Sequence, residues 1–180
     1  MKIVHTREDL IKIIPKHSKI AELGVFKGDF SNQIIKLSEP RPLFLVDLFQ
    51  GSMGSGDVNG ENFHIVNLDN EYKRLLKEHL GNPNINLVKS STTTFLNSLN
   101  DNYLDAVYID ADHSYNSVLS DLHLSHLKVK DYGYILGHDY CNNMFPGVVN
   151  AVKDFCLEKK LTINFISCEK LPSFLIINHK

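Results

Sequence analysis

The sequence alternates five times between a short apolar run and a segment whose apolar residues recur at helical spacing, and this limits the fold more than any other feature. The run at 43–48, Leu-Phe-Leu-Val-Asp-Leu, has the continuous apolar character of a strand that is buried on both faces. Other predicted strands span 19–23, 85–88, 104–110 and 134–136. Repeated β-α units predict a mostly parallel sheet with helices on both faces.

The two ends of the chain add to this pattern. Residues 162–168 and 173–177 both predict strands, and the four residues between them are too few for a parallel crossover. The sheet should therefore contain one reversed strand. Near the start, Thr6 stands three residues before Asp9, which predicts a capped short helix that ends at Pro15.

Size and composition exclude several classes of protein. The 180 residues suit one domain spanning 1–180, and 19 Lys and Arg against 21 Asp and Glu leave no basic stripe, so we expect no nucleic-acid partner. The three cysteines include no Cys-x-x-Cys pair, which argues against a disulfide framework and a zinc site. There is no signal-like segment and no run of roughly 18 apolar residues, so we expect a cytoplasmic protein without a membrane partner.

In an open parallel sheet a ligand binds at the carboxyl ends of the strands. Gly24 and Gly28 follow the first predicted strand, but their spacing is not the Gly-x-Gly-x-x-Gly of dinucleotide folds, so a pyrophosphate cradle is poorly supported. Asp47 ends the second strand, where a carboxylate can accept both hydroxyls of a ribose.

A second cluster follows the fourth and fifth strands. Asp110 and His113 lie within four residues of each other, and His138 and Asp139 end the next strand. The carboxylates of Asp110 and Asp139 could hold a divalent cation that binds substrate oxygens. Alternatively, His113 or His138 could serve as a general base. The residues alone leave both mechanisms open.

Five motifs together resemble class I S-adenosylmethionine-dependent methyltransferases, and more narrowly methyltransferase domain family 24, which is related to macrocin-type and catechol-type O-methyltransferases. The motifs are Glu22-Leu23-Gly24-x-x-x-Gly28, Asp47, Ser90-Ser91, residues 108–115 and residues 137–140. The resemblance implies a Rossmann-like fold with a seven-stranded, mostly parallel sheet, one antiparallel strand, and the strand order 3-2-1-4-5-7-6.

The resemblance also implies roles for single residues. Glu22, Gly24 and Gly28 would surround the methionine part of S-adenosyl-L-methionine, with Asp110 beside it, whereas Asp47 would hold the ribose and Ser90 and Ser91 would border the adenine. In catechol-type relatives the position of Asp110 and a later Asp-Asn pair hold Mg²⁺, and here that pair is Asp139-Tyr140. The methyl acceptor expected from the resemblance is a hydroxyl oxygen of a sugar or another small metabolite.

Two other functions compete with methyl transfer, namely a NAD-dependent oxidoreductase and a non-catalytic cofactor-binding domain of the same fold. The segment 50–62 carries four glycines and follows Asp47, so it is either a mobile lid over the cofactor or a plain solvated loop. Acceptor selection must come from this segment, the first helix, residues 140–146, or a second subunit in a homodimer.

Overall fold

The computed structural model describes residues 1–55 and 64–180. Its strands are β1 (Lys2–Val4), β2 (Ile20–Leu23), β3 (Leu43–Asp47), β4 (Ser52–Ser55), β5 (His64–Asn67), β6 (Ile85–Lys89), β7 (Leu104–Ile109), β8 (Val129–Gly137), β9 (Ile163–Ser167) and β10 (Phe174–Ile177). Its helices are α1 (Arg7–Ile11), α2 (Asp29–Ser38), α3 (Leu68–Glu78), α4 (Thr92–Ser98), α5 (Tyr115–Lys128) and α6 (Pro146–Lys159).

The main sheet has the order β1-β9-β10-β8-β7-β2-β3-β6. Read from β6, its first seven strands follow the predicted order 3-2-1-4-5-7-6, and β10 runs antiparallel to both neighbours, so the Rossmann-like prediction is confirmed. The sheet has eight strands rather than seven because β1 pairs in parallel with the outer edge of β9, with Lys2 opposite Phe165.

Two apolar clusters lie on the two faces of the sheet. Within β2, Ile20 packs into one cluster, whereas Ala21 and Leu23 pack into the other, as expected of a strand that is covered on both sides. Helices α1, α2 and α3 supply apolar side chains to the first face, and α4, α5 and α6 to the second. This packing leaves the carboxyl ends of β2, β3, β7 and β8 at one edge of the sheet, where their connecting segments meet.

The glycine-containing segment after β3 is partly strand. Residues 52–55 form β4 and pair antiparallel with β5, with Met53 opposite Val66. The prediction of a lid over 50–62 stays a prediction, because much of that segment lies outside the described residues. Across residues 1–55 and 64–180, none of the helices combines the length and apolar character needed to cross a bilayer.

Candidate active site

The turn after β2 packs directly against the end of β7. Gly24 has φ +91°, and a Cβ added there would lie 2.0 Å from the carbonyl oxygen of Asp110, so no other residue fits without moving the backbone. Gly24 N–H donates to Val46 O (2.8 Å), and Asp110 N–H donates to Leu23 O (2.8 Å). The glycine therefore brings together the two strand ends that the sequence singled out.

Gly28 closes the same turn and begins α2. It has φ +76°, and an added Cβ would lie 2.7 Å from Leu75 Cδ2, the end of a side chain on α3. Its N–H donates to Val25 O at 2.8 Å. Backbone from 24 to 28 thus folds tightly over the strand ends, as expected for a ligand-facing turn.

The carboxylate of Asp47 holds the glycine turn in place. Its Oδ2 accepts hydrogen bonds from Val25 N–H (2.9 Å) and Phe26 N–H (3.0 Å), and its Oδ1 accepts from Phe49 N–H (2.8 Å). A carboxylate offers about four acceptor positions, so these bonds leave about one for a ligand. The arrangement suits one ribose hydroxyl without rearrangement, where the sequence suggested two.

Ser90 and Ser91 lie at the same edge of the sheet. Ser90 N–H donates to Asp47 O at 3.0 Å, which places the start of α4 beside the end of β3. Ser91 is the N-cap of α4, and its Oγ accepts from Thr94 N–H at 3.1 Å. The Ser91 hydroxyl therefore has a structural role here.

Glu22 lies inside the protein beneath the turn. Its side chain is nearly inaccessible, with 2% relative exposure, and Ser31 Oγ donates a hydrogen bond to its Oε2. Burial raises the pKa of Glu22 to about 8, against the Ser31 hydrogen bond, which lowers it. Near neutral pH the group is mostly a neutral carboxylic acid.

Asp139 joins the two histidines that the sequence proposed as bases. Its carboxylate is buried, and His113 Nε2 lies 2.7 Å from its Oδ2. His138 Nδ1 lies 3.1 Å from the other oxygen, Oδ1, as an ion-pair contact whose geometry falls short of a good hydrogen bond. His138 Nδ1 is also 3.6 Å from Asp110 Oδ1, so the four residues form one connected cluster.

These contacts shift the proton affinities of the cluster. The hydrogen bond to Asp139 raises the pKa of His113. Burial works against protonation of His138, but its contacts with Asp110 and Asp139 outweigh burial and raise its pKa to about 9. Burial would raise the pKa of Asp139, yet the two histidines hold it well below its usual range. The cluster therefore couples two carboxylates to two imidazoles, and the proton affinity of each imidazole is raised.

Sequence reasoning missed one cation at this site. Arg7, the first residue of α1, places its guanidinium carbon 4.1 Å from the centre of the Phe30 ring, and its Nη1 lies 3.9 Å from Asp110 Oδ2. Its backbone N–H donates to Glu169 Oε2 at 2.6 Å. These contacts join distant parts of the chain, and no local pattern separates Arg7 from an ordinary surface arginine.

Asp110, His113 and Asp139 each offer a ligand atom, and these atoms lie within 4.8 Å of one another. Mg²⁺ prefers an all-oxygen shell, whereas one of these three donors is an imidazole nitrogen, and both carboxylates already contact cationic side chains. The asparagines at 142 and 143 are exposed in the turn that follows. The residues present do not fit the magnesium site of catechol-type enzymes.

A family model described as a methyltransferase domain, family 24, matches residues 21–140, which span the glycine turn and both histidines of the cluster. The chain belongs to this methyltransferase family. The match confirms the resemblance drawn from the motifs and favours methyl transfer over the oxidoreductase alternative. No curated protein matches the sequence.

Solved structures share the fold at low sequence identity. The N-methyltransferase NodS from Bradyrhizobium japonicum has a TM-score of 0.65 and 11% identity, with 97% of this chain and 95% of NodS covered. An rRNA methylase from Streptococcus thermophilus has a TM-score of 0.63 and 9% identity, with coverage of 96% and 94%. Fibrillarin from Aeropyrum pernix, with natively bound S-adenosyl-L-methionine, has a TM-score of 0.61 and 13% identity, with coverage of 91% and 68%.

The sequence led us to expect a small-molecule substrate and no nucleic-acid partner. The exclusion of nucleic acid as a partner is wrong. A protein described as an rRNA methylase has this fold over nearly the whole chain. The expectation rested on a formal charge of −2 and the lack of a basic stripe. Net charge bears on non-specific attraction to phosphate and does not decide which acceptor a fold can serve.

Proposed function

We propose that this methyltransferase transfers a methyl group from S-adenosyl-L-methionine to a hydroxyl oxygen, with His113 as the general base and Asp139 as the residue that orients it. The observation that carries the proposal is the 2.7 Å contact between His113 Nε2 and Asp139 Oδ2, in the cluster whose member Asp110 packs against Gly24. A histidine held by a buried carboxylate at a ligand-facing strand end is an arrangement suited to proton abstraction.

The cofactor site in this proposal is built around the turn from Gly24 to Gly28. Backbone groups of the turn would meet the methionine part, with Asp110 beside it, and Asp47 would accept from a ribose hydroxyl. Support comes from the tight packing of Gly24 on Asp110 and from the like-folded fibrillarin structure, which holds S-adenosyl-L-methionine. Glu22 would act from below as a neutral acid that supports the turn, and Ser90 and Ser91 would border the adenine.

His113 is a better base than His138 on geometry. The His113 side chain is 40% exposed and that of His138 is 15% exposed, so an acceptor reaches His113 more readily. The His113 ring also packs against Phe145, with ring centroids 4.4 Å apart, which fixes its plane. When Nε2–H donates to Asp139, the nitrogen that accepts a proton is Nδ1.

The proposed step balances without a further reactant. A lone pair of the acceptor oxygen forms a bond to the methyl carbon while the carbon–sulfur bond breaks, and its electron pair returns to sulfur. The sulfonium becomes the neutral thioether of S-adenosylhomocysteine. The hydroxyl proton moves to His113 Nδ1, and the nearby Asp139 carboxylate stabilises the imidazolium that forms.

The test is a methyl-transfer assay with isotopically labelled S-adenosyl-L-methionine and a panel of catechols, sugars and RNA, so that hydroxyls on both small and large scaffolds are offered. His113→Ala should lower the rate by roughly 10² to 10⁴. His123→Ala is the matched control, because His123 lies on α5 and contacts Glu158 at 3.3 Å, away from the cluster.

Chelation separates this mechanism from a magnesium-dependent one. Wild-type activity should persist after treatment with EDTA, because the proposed step uses imidazole alone. Loss of activity that Mg²⁺ restores, or full activity in His113→Ala, would overturn the histidine-base mechanism.

A further inference from the structure

We infer that Arg7 binds the α-carboxylate of the cofactor's methionine part, while Asp110 receives the α-ammonium. The inference rests on the proposed use of S-adenosyl-L-methionine. It adds helix α1 to the cofactor site.

The position of Arg7 is the first support. Phe30, under its guanidinium, lies two residues after Gly28, and Asp110 is the residue whose carbonyl oxygen abuts Gly24. The guanidinium thus lies between Phe30, at the start of α2, and Asp110, which packs against Gly24 at the end of β7. The side chain is 27% exposed, so a ligand on the turn can reach its N–H groups.

The spacing of Arg7 and Asp110 is the second support. Arg7 Nη1 and Asp110 Oδ2 are 3.9 Å apart, longer than a hydrogen bond, so the opposite charges face each other without a tight pair. The methionine part of the cofactor is a zwitterion that carries a carboxylate and an ammonium on one carbon. A cation and an anion side by side, with room to separate, are complementary to such a group.

The guanidinium is held in place rather than free to move. Leu10 and Ile11 anchor α1 in the core, and Glu169 Oε2 accepts from the Arg7 backbone N–H. The cation–π contact with the Phe30 ring further restrains the guanidinium. A pre-positioned arginine loses less conformational entropy on binding a carboxylate than a flexible lysine does.

Other cations near the turn already have partners. Lys27 Nζ lies 3.7 Å from Asp29 Oδ2, and the imidazoles of His113 and His138 contact Asp139. Arg7 also faces a carboxylate, that of Asp110, but a guanidinium has five N–H donors, so Arg7 can receive a further anion while it keeps this contact.

The experiment compares two ligands that differ in the methionine part alone. S-adenosylhomocysteine carries the α-carboxylate and α-ammonium, whereas 5′-methylthioadenosine lacks both. Dissociation constants for each would be measured by calorimetry on wild type, Arg7→Met, Arg7→Lys and Lys12→Met. Lys12→Met is the matched control, because Lys12 directly follows α1 and pairs with Asp9 at 2.7 Å.

Arg7→Met should weaken S-adenosylhomocysteine by roughly 10- to 100-fold, as expected for one charge-assisted interaction, and leave 5′-methylthioadenosine within about twofold. Arg7→Lys should fall between wild type and Arg7→Met, because it keeps the charge and loses the planar fork. Lys12→Met should bind both ligands as wild type does. Thermal unfolding would verify that each variant is folded.

Four results would overturn the inference. Unchanged binding of S-adenosylhomocysteine by folded Arg7→Met would remove Arg7 from the site. An equal loss for both ligands would show that Arg7 supports the turn instead of contacting the carboxylate. An equal loss of affinity for S-adenosylhomocysteine in Lys12→Met would show that the effect comes from surface charge in general and not from Arg7. If wild type binds neither ligand, the proposed cofactor fails, and the inference fails with it.

Discussion

Replacing Glu22 with glutamine should make the protein more stable near neutral pH, although it alters a buried polar residue in the site. Burial raises the pKa of Glu22 from its ordinary 4.5 to about 8. Between these values the folded protein retains a proton that the unfolded chain has lost, so the free energy of unfolding falls as pH rises. Glutamine does not titrate, and its amide oxygen can still accept the hydrogen bond from Ser31 Oγ.

The size of the effect follows from the interval between the two pKa values of Glu22, the ordinary 4.5 and about 8 in the folded protein. Within this interval the free energy of unfolding of wild type falls by about 1.4 kcal/mol for each pH unit. Relative to Glu22→Gln it should therefore fall by about 3 kcal/mol between pH 5.5 and 7.5. His138, whose pKa is also raised, to about 9, stabilises the fold below about 6.5 and loses that contribution as pH rises towards 9. Because both proteins contain His138, its contribution cancels in the difference.

Urea unfolding at several pH values measures this difference directly. Asp101→Asn is the control, because Asp101 is exposed and the hydrogen bond from Lys128 lowers its pKa, so it stays ionised in both states over this range. Its difference from wild type should therefore not change with pH. Parallel curves for wild type and Glu22→Gln would refute the argument that burial keeps Glu22 protonated.

Three further predictions concern the turn and the base. Gly24→Ala should lower the free energy of unfolding by at least about 2 kcal/mol in urea titrations, since its Cβ would overlap Asp110 O, and near-wild-type stability would contradict that packing. Asp47→Asn should weaken S-adenosylhomocysteine more than about tenfold by calorimetry, and an unchanged constant would exclude Asp47 from binding. The rate of methyl transfer by wild type should rise with pH as His113 loses its proton. Asp139→Asn should move the midpoint of this pH profile to lower pH, because the Asp139 contact raises the pKa of His113. An unchanged midpoint would show that Asp139 does not act on the pKa of His113.

The order of the main strands was predictable because alternation of buried strands and helices is a local property. The strand predicted at 43–48 corresponds to β3 (Leu43–Asp47), and the terminal pair β9 and β10 followed from a short connection. Strand β1 was missed, since three residues with an exposed Ile3 carry no apolar pattern and depend on pairing with β9. The hairpin of β4 and β5 was missed for a similar reason, because its glycine and serines favour a loop.

The residues of the candidate site were likewise predicted only in part. Strand-end residues such as Asp110 and Asp139 were found because topology sends all parallel strand ends to one edge. The burial of Glu22, the three hydrogen bonds on Asp47 and the approach of Arg7 were not found. Each depends on contacts between residues far apart in sequence, or on how tightly a turn closes, and neither appears in a motif.

The contacts of β1 and α1 have a consequence for biosynthesis. Lys2 pairs opposite Phe165, and the Arg7 N–H donates to Glu169, so the earliest elements of the chain contact some of the latest. During translation the sheet pairs among β2, β3, β6, β7 and β8 can form, and α1 can pack against α2, before β9 and β10 have been made. The pairing of β1 with β9 and the hydrogen bond from the Arg7 N–H to Glu169 can therefore form only after these late residues have left the ribosome, so the first helix becomes fully anchored late in synthesis.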